Sequence, residues 1–293
     1  MADGILLLDK PQGFTSFDVI AKLRGMSRQR KIGHAGTLDP MATGVLPCLF
    51  GGATRLCDVM PCDKKTYFAT VQFGISTDTQ DITGAVLTTS DLAINQPMLE
   101  AVLPAFRGEI TQIPPMYSAV SVNGKRLYDL ARQGKEVVRP ARTITIHDLT
   151  PVSVDTNRHQ ATFSVTCSKG SYVRTLFHDI GQLLGCGATL CALRRTASSG
   201  FMIADCITMD EAQRLTDQGA LLDHLLPVST AFATLPRLAV GTWQGKMLSN
   251  GVVLSLKKLG NPQPGQYAVW EGDIFLGLGT VTPEADGMRL KRF

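Results

Sequence analysis

The stretch Gly33-His34-Ala35-Gly36-Thr37-Leu38-Asp39-Pro40-Met41-Ala42-Thr43-Gly44 holds three glycines, a proline, one carboxylate and one imidazole, with no hydrophobic period. Neither a helix nor a strand is written this way, so it reads as a constrained loop. The glycines admit backbone angles or close approaches that a side chain would forbid. Pro40 biases Asp39 away from helical angles. Asp-Pro also opens helices, with Asp as N-cap and Pro in the first turn. Here Gly44 and Pro47 would interrupt that helix, and residues 45–50 read as a buried strand. A cap also leaves Gly33-His34-Ala35-Gly36 without a purpose. A lone carboxylate on such a loop marks a place for chemistry.

Outward from this loop, residues 66–73 alternate as a strand with Tyr67 near its start, and Asp78-Thr79-Gln80-Asp81 reads as a polar turn. Residues 99–106 suggest a helix, and Ile113-Pro114-Pro115 an extended connection. A strand follows at 161–168, a turn at Lys169-Gly170 and a helix at 171–184, with Gly185 at its C-cap. Its N-cap is expected to be Ser171 and its apolar face Tyr172, Leu176, Ile180, Leu183 and Leu184, which puts Tyr172 and Arg174 in the first turn. Strands and helices in irregular order favour an α+β fold on a mixed sheet over a doubly wound one. From Arg237 onward the segments are short, strand-like and broken by Gly, Asn and Pro, and Glu271-Gly272-Asp273 is a hairpin signal. The expected organisation is a domain over residues 1–235 and a small β-barrel over 236–293.

Within residues 123–142, Lys125, Arg126, Arg132, Lys135, Arg139 and Arg142 face only Asp129 and Glu136, while Leu127, Leu130 and Ala131 make a short apolar stripe. Charge alone fits either a solvated helix face or a basic arm along a phosphate backbone.

The 293 residues suffice for a sizeable core, and 44% hydrophobic with 18% charged residues is the composition of a soluble globular protein. A formal charge of +4 permits a nucleic-acid partner without requiring one. No apolar run approaches the ~18 residues of a membrane span. Seven cysteines, an odd number, fit a reduced cytoplasm, and the Cys57/Cys62 and Cys186/Cys191 spacings read as buried thiols rather than a metal site.

The quoted loop resembles the active-site motif of the bacterial tRNA pseudouridine-55 synthases, the TruB family. Further matches follow in the family's order: Leu8-Asp9-Lys10-Pro11-Gln12-Gly13-Phe14-Thr15-Ser16, Asp63-Lys64-Lys65-Thr66-Tyr67, and Ile113-Pro114-Pro115-Met116-Tyr117-Ser118-Ala119. Then come Cys167-Ser168-Lys169-Gly170-Ser171-Tyr172-Val173-Arg174-Thr175, Gly185-Cys186-Gly187-Ala188 and Leu193-Arg194-Arg195. Several ordered motifs are far more specific than one short pattern. The resemblance implies a mixed, mainly antiparallel sheet, a C-terminal PUA-like RNA-binding module, and isomerisation of uridine 55 in the tRNA T-stem-loop. It further implies a cytoplasmic, cofactor-free enzyme, read here as a monomer.

The resemblance makes Asp39 the nucleophile and Arg174 its basic partner. On periodicity alone Arg174 reads instead as an ordinary helix-surface ion pair, for example with Asp179; the matched Ser171-Tyr172-Val173-Arg174-Thr175 reverses that reading. Tyr67 is implied to stack on the flipped uracil and assist proton transfer; otherwise it is a core tyrosine. Tyr172 and Leu193 are implied to close the nucleotide pocket. His34 is implied to stand against displaced RNA bases, and no second ligand at metal spacing accompanies it. Lys10 is given a structural or phosphate-contact role, and Lys125, Arg126 and Arg132 belong to an RNA-clasping arm. Making pseudouridine oxidises nothing and donates no group, so it requires neither a redox cofactor nor a nucleotide. Two rivals fit less well. A plain RNA-binding module has no use for a carboxylate where phosphate must approach. In a nucleotide-dependent enzyme, Gly51-Gly52-Ala53-Thr54-Arg55 would need the Gly-Lys-Ser/Thr ending that it lacks.

Overall fold

The computed structural model describes residues 2–60, 64–122, 124–282 and 286–293. Cys62, Asp63 and Asn123, which entered the sequence reading, lie outside the described residues.

The apolar run after Gly4 is strand β1 (Gly4–Lys10), followed by helix α1 (Ser16–Ser27), the short β2 (Ile32–His34) and β3 (Thr43–Phe50). No helix follows Asp39-Pro40; the Asp39 carbonyl accepts from Ala42 N–H (3.0 Å), closing a single turn. Strand β4 (Lys65–Phe73) turns Tyr67, Ala69, Val71 and Phe73 inward. The hairpin β5 (Ile75–Thr77) and β6 (Val86–Thr89) encloses the polar turn, and α2 (Gln96–Val102) leads to β7 (Gly108–Gln112). The basic segment is a hairpin, β8 (Ser121–Val122) and β9 (Lys125–Arg126), with the short helix α3 (Leu127–Arg132). Leu127 and Leu130 of its apolar stripe are buried. Arg142 does not belong to this arm; it opens β10 (Arg142–Asp155), held in the main sheet through its pairing with Gln112.

Strand β11 (Gln160–Cys167), helix α4 (Val173–Leu183), β12 (Ala188–Ser198), β13 (Phe201–Met202) and α5 (Met209–Asp217) complete the larger part. Among the described residues, the order β1-β3-β12-β4-β11-β10-β7, with β2 on β3 and β13 on β12, makes a nine-stranded sheet. Every pairing is antiparallel except β3 with β12, as expected for a mixed, mainly antiparallel sheet. Its inward face packs on α4, where Phe163 and Phe177 lie 4.8 Å apart. Each large side chain fully buried there contributes about 1.5–3 kcal/mol.

Helix α4 starts two residues later than the sequence suggests. The Gln112 side chain accepts from Tyr172 N–H (2.8 Å) and donates to the Tyr172 carbonyl (3.1 Å), which holds Tyr172 extended as the N-cap in place of Ser171. Leu183 is exposed rather than part of the apolar face; only Leu184, next in sequence and so turned by about 100°, reaches the core.

Beyond Pro236, strands β14 (Arg237–Ala239), β15 (Leu254–Ser255), β16 (Gly265–Glu271), β17 (Ile274–Val281) and β18 (Gly287–Lys291) form a second, five-stranded sheet in the order β14-β16-β17-β18-β15. It curls as a half-barrel around Val240, Leu248, Val269 and Met288. The expected hairpin is present, with Gly272 at φ 56°. This region is not strands alone. Helix α6 (Thr242–Ser249) starts where the Gln244 side chain accepts from Gly241 N–H (2.6 Å). Ala268 and Leu278 of the half-barrel share a core with Ile5, Leu7, Val45 and Leu49, so it rests on the β1–β3 end of the large sheet. No described helix is long and apolar enough to cross a membrane. Of the cysteines expected as buried thiols, Cys186 is buried, Cys191 is half-buried and Cys57 is exposed, because it faces outward from a 3₁₀ segment whose Ala53 and Leu56 face the core.

Candidate active site

Asp39, Tyr67, Tyr172, Arg174 and Leu193, drawn from a loop, two strands and the start of α4, line one pocket of about 200 Å³. Arg174 is 4% exposed, and its Nε lies 2.8 Å from the Asp39 carboxylate, which is 36% exposed. The other guanidinium nitrogens are also engaged. Nη1 donates to the Thr79 carbonyl (2.8 Å) and lies 3.6 Å from the buried Asp81 carboxylate, while Nη2 donates to the Tyr117 carbonyl (2.9 Å). The expected polar turn therefore grips the arginine from behind. Asp179, the alternative partner, is not paired with it among the ion pairs of the described residues. A planar fork held at four acceptors fixes the orientation of the carboxylate it meets.

Tyr67 is buried, and burial pushes its hydroxyl up to about 12, with the Arg195 charge beside it pulling the other way. At neutral pH the phenol is therefore a hydrogen-bond donor. Tyr172 and Leu193 form walls of the same pocket. His34, at the end of β2, is not among the residues lining it. Burial lowers its pKa, Arg195 adds to the effect, and its buried Nδ1 has no partner.

Lys10 cannot meet phosphate. It is fully enclosed, and its Nζ donates to the carbonyls of Phe14 (2.6 Å), Pro11 (2.8 Å) and Pro40 (3.4 Å). The Pro40 carbonyl also accepts from Gly13 N–H (2.8 Å), so Lys10 and its loop brace the residue after Asp39. Burial brings Lys10 down from 10.5 to about 8, against the attraction of Asp39. The native state then releases this proton before the unfolded chain does, so this group makes stability rise with pH between about 8 and 10.5 and adds no pH dependence below or above that window. Denaturation of Lys10→Met should lack that rise when its pH profile is compared with that of the parent protein.

Sequence reasoning gave no role to Arg195. It is completely buried, its Nε donates to the Val45 carbonyl (2.8 Å), and its Nη2 and Nη1 donate to the carbonyls of Gly36 (2.9 Å) and Thr37 (3.4 Å). It thus ties the start of the Asp39 loop to β3. Gly44 is required opposite it: at φ 107°, a Cβ would stand 2.1 Å from the Arg195 carbonyl oxygen. Lys65, also unassigned, lines the pocket two residues before Tyr67. In the arm, Lys125, Arg126 and Arg132 are all exposed. Arg126 donates to the Ala119 carbonyl and Arg132 lies over the Tyr128 ring at 5.5 Å, while Arg139 pairs with Glu136 at 3.0 Å.

A family model described as the N-terminal domain of TruB family pseudouridylate synthases matches residues 24–173. A second, for the C-terminal domain of tRNA pseudouridylate synthase B, matches residues 174–233. The chain belongs to the TruB family of pseudouridylate synthases. The tRNA pseudouridine synthase B of Clostridium kluyveri is 41% identical over 94% of this chain and 95% of its own length. That of Ectopseudomonas mendocina is 46% identical over 80% and 78%. A solved Cbf5-Nop10-Gar1 complex contains a chain with TM-score 0.76 at 25% identity, covering 99% of this chain and 84% of that one. The resemblance carried by the ordered motifs is borne out, and with it the reading as a pseudouridine synthase on an α+β fold. In TruB terms, the boundary between the two family models falls at Val173/Arg174, inside the first turn of α4.

Proposed function

We propose that this enzyme converts uridine 55 in the T-loop of tRNA to pseudouridine, with Asp39 as nucleophile. The observation that carries the reading is a carboxylate presented into a pocket and gripped by a buried arginine whose other nitrogens are all occupied. The relatives' names supply tRNA as the substrate. The target nucleotide must leave its stack to enter the pocket. Asp39 bonds to the sugar or the uracil ring as the C1′–N1 bond breaks; the base turns, C5 bonds to C1′, the C5 proton departs and the carboxylate is released. Tyr67, a neutral phenol, stacks on the base and assists that proton transfer. Tyr172 and Leu193 close the pocket, and His34, outside it, faces the bases displaced when the nucleotide turns out. Residues 1–235 form the catalytic domain, with the basic arm ending before Arg142, and residues 236–293 a PUA-like RNA-binding module. We read the enzyme as a monomer working in the cytoplasm. Carbodiimide mapping with primer extension on unmodified tRNA transcript treated with the enzyme should give one enzyme-dependent stop, one nucleotide 3′ of position 55; stops elsewhere only would overturn the assignment.

The arm supplies phosphate contacts through its exposed cations. Replacing Lys125 and Arg132 with Ala should weaken tRNA binding and flatten its log–log salt dependence by about 0.7–0.9 per lost contact. Arg126→Ala should in addition loosen the seat of the arm, because this side chain also holds the Ala119 carbonyl. Filter binding across a salt series measures both, and an unchanged slope would return the arm to a solvated surface element.

A further inference from the structure

Ser118 stands in the wall of the Asp39 pocket. The residue is 6% exposed, and its Oγ is buried without a hydrogen-bond partner. Buried hydroxyls are almost always paired, so an unpaired one in a ligand pocket calls for a partner that arrives with the ligand. Its backbone is fixed from both sides. The carbonyl of Tyr117, the residue before it, accepts from Arg174, the same guanidinium that holds Asp39. The Ser118 carbonyl accepts from Tyr128 N–H (3.1 Å) in α3, and the Val120 carbonyl accepts from Leu127 N–H (2.8 Å). The hydroxyl is thus suspended between the catalytic pair and the basic arm.

We propose that the Ser118 hydroxyl is a hydrogen-bonding subsite for the turned-out nucleotide, kept in register by the arm. The proposal rests on the reading that the Asp39 pocket receives the reacting uridine. A serine hydroxyl both donates and accepts, and uridine offers matching groups in its sugar hydroxyls and the carbonyl oxygens of its base. Ser118 is a binding and positioning group; no bond to it forms or breaks. An RNA seated on the arm would thereby also set the pocket wall, so that loading the arm and aligning the nucleotide are one event.

The test is the single-turnover rate of Ser118→Ala on tRNA at saturating enzyme, with Tm and tRNA affinity measured alongside. The rate should fall about tenfold, the size of one hydrogen bond. Affinity should hold, because phosphates dominate it. Tm should stay level or rise, because the free protein loses an unpaired buried hydroxyl and no contact. Ser118→Cys, similar in size but a poor hydrogen-bonder, should be slow as well. A wild-type rate for Ser118→Ala would overturn the proposal, as would a lowered Tm or a fast Ser118→Cys, which would make the side chain a matter of packing. If the parent protein leaves T-loop uridine unchanged, it is the reading of the pocket that fails.

Discussion

Asp39→Asn is expected to abolish pseudouridine formation, with a loss of at least about ten-thousand-fold in single-turnover rate, while tRNA affinity stays within several-fold. The amide has the shape of the carboxylate but not its negative charge, so it cannot serve as the nucleophile. The surroundings tolerate it. The amide oxygen still accepts from Arg174 Nε, and the loop is held through main-chain groups: Ala42 N–H on the Asp39 carbonyl, and Lys10 and Gly13 on the Pro40 carbonyl. Affinity comes from cations that meet phosphate, and removing an anion from the pocket does not weaken those contacts. Tritium release from C5-labelled tRNA, with filter binding on the same preparation, separates the two effects. Turnover within about a hundredfold of the parent enzyme would remove Asp39 from the nucleophile's place.

The loop was legible because its glycines and proline break every period, and β4, β11 and the Gly272 hairpin because alternation and turn chemistry are local signals. The ends of α4 were less so. Its N-cap is imposed by Gln112, which is distant in sequence, and local capping propensity pointed instead to Ser171. Helix α6 was missed because Gly and Asn flank a segment with little apolar period. Lys10 and Arg195 look like surface charges in the sequence, yet both are buried and hold main-chain carbonyls around the Asp39 loop. A signal for Arg195 did exist. On a strand, a buried Leu193 places residue 195 on the same face and turns Arg194 outward, which is the arrangement found. The irregular register between Arg195 and Ala197 obscures that alternation further along β12. The pairing of Arg174 with Asp39 came from family resemblance alone, since periodicity favoured a helix-surface pair, such as one with Asp179.

Arg174→Lys is expected to cut the single-turnover rate by at least about a hundredfold while tRNA affinity is nearly unchanged. Were this residue an exposed helix decoration, the exchange would cost less than about 1 kcal/mol and leave the rate alone. It is instead buried, and its fork spans Asp39, Asp81 and the carbonyls of Thr79 and Tyr117. A lysine keeps the charge but brings only three donors on one nitrogen, with no planar fork. It can reach Asp39, or the Thr79–Asp81 turn behind it, but cannot hold both in the present geometry. The carboxylate then loses its fixed direction into the pocket, and buried carbonyls lose partners. For that second reason thermal stability should also drop modestly, by about 1–3 kcal/mol. Arg174→Ala should be more damaging in both respects, because removing one member of a buried pair costs about 3–5 kcal/mol. Single-turnover tritium release, read with a thermal melt below the unfolding range, keeps the two losses apart. A near-normal rate for Arg174→Lys would mean that the fork serves only the fold and that Asp39 aims itself.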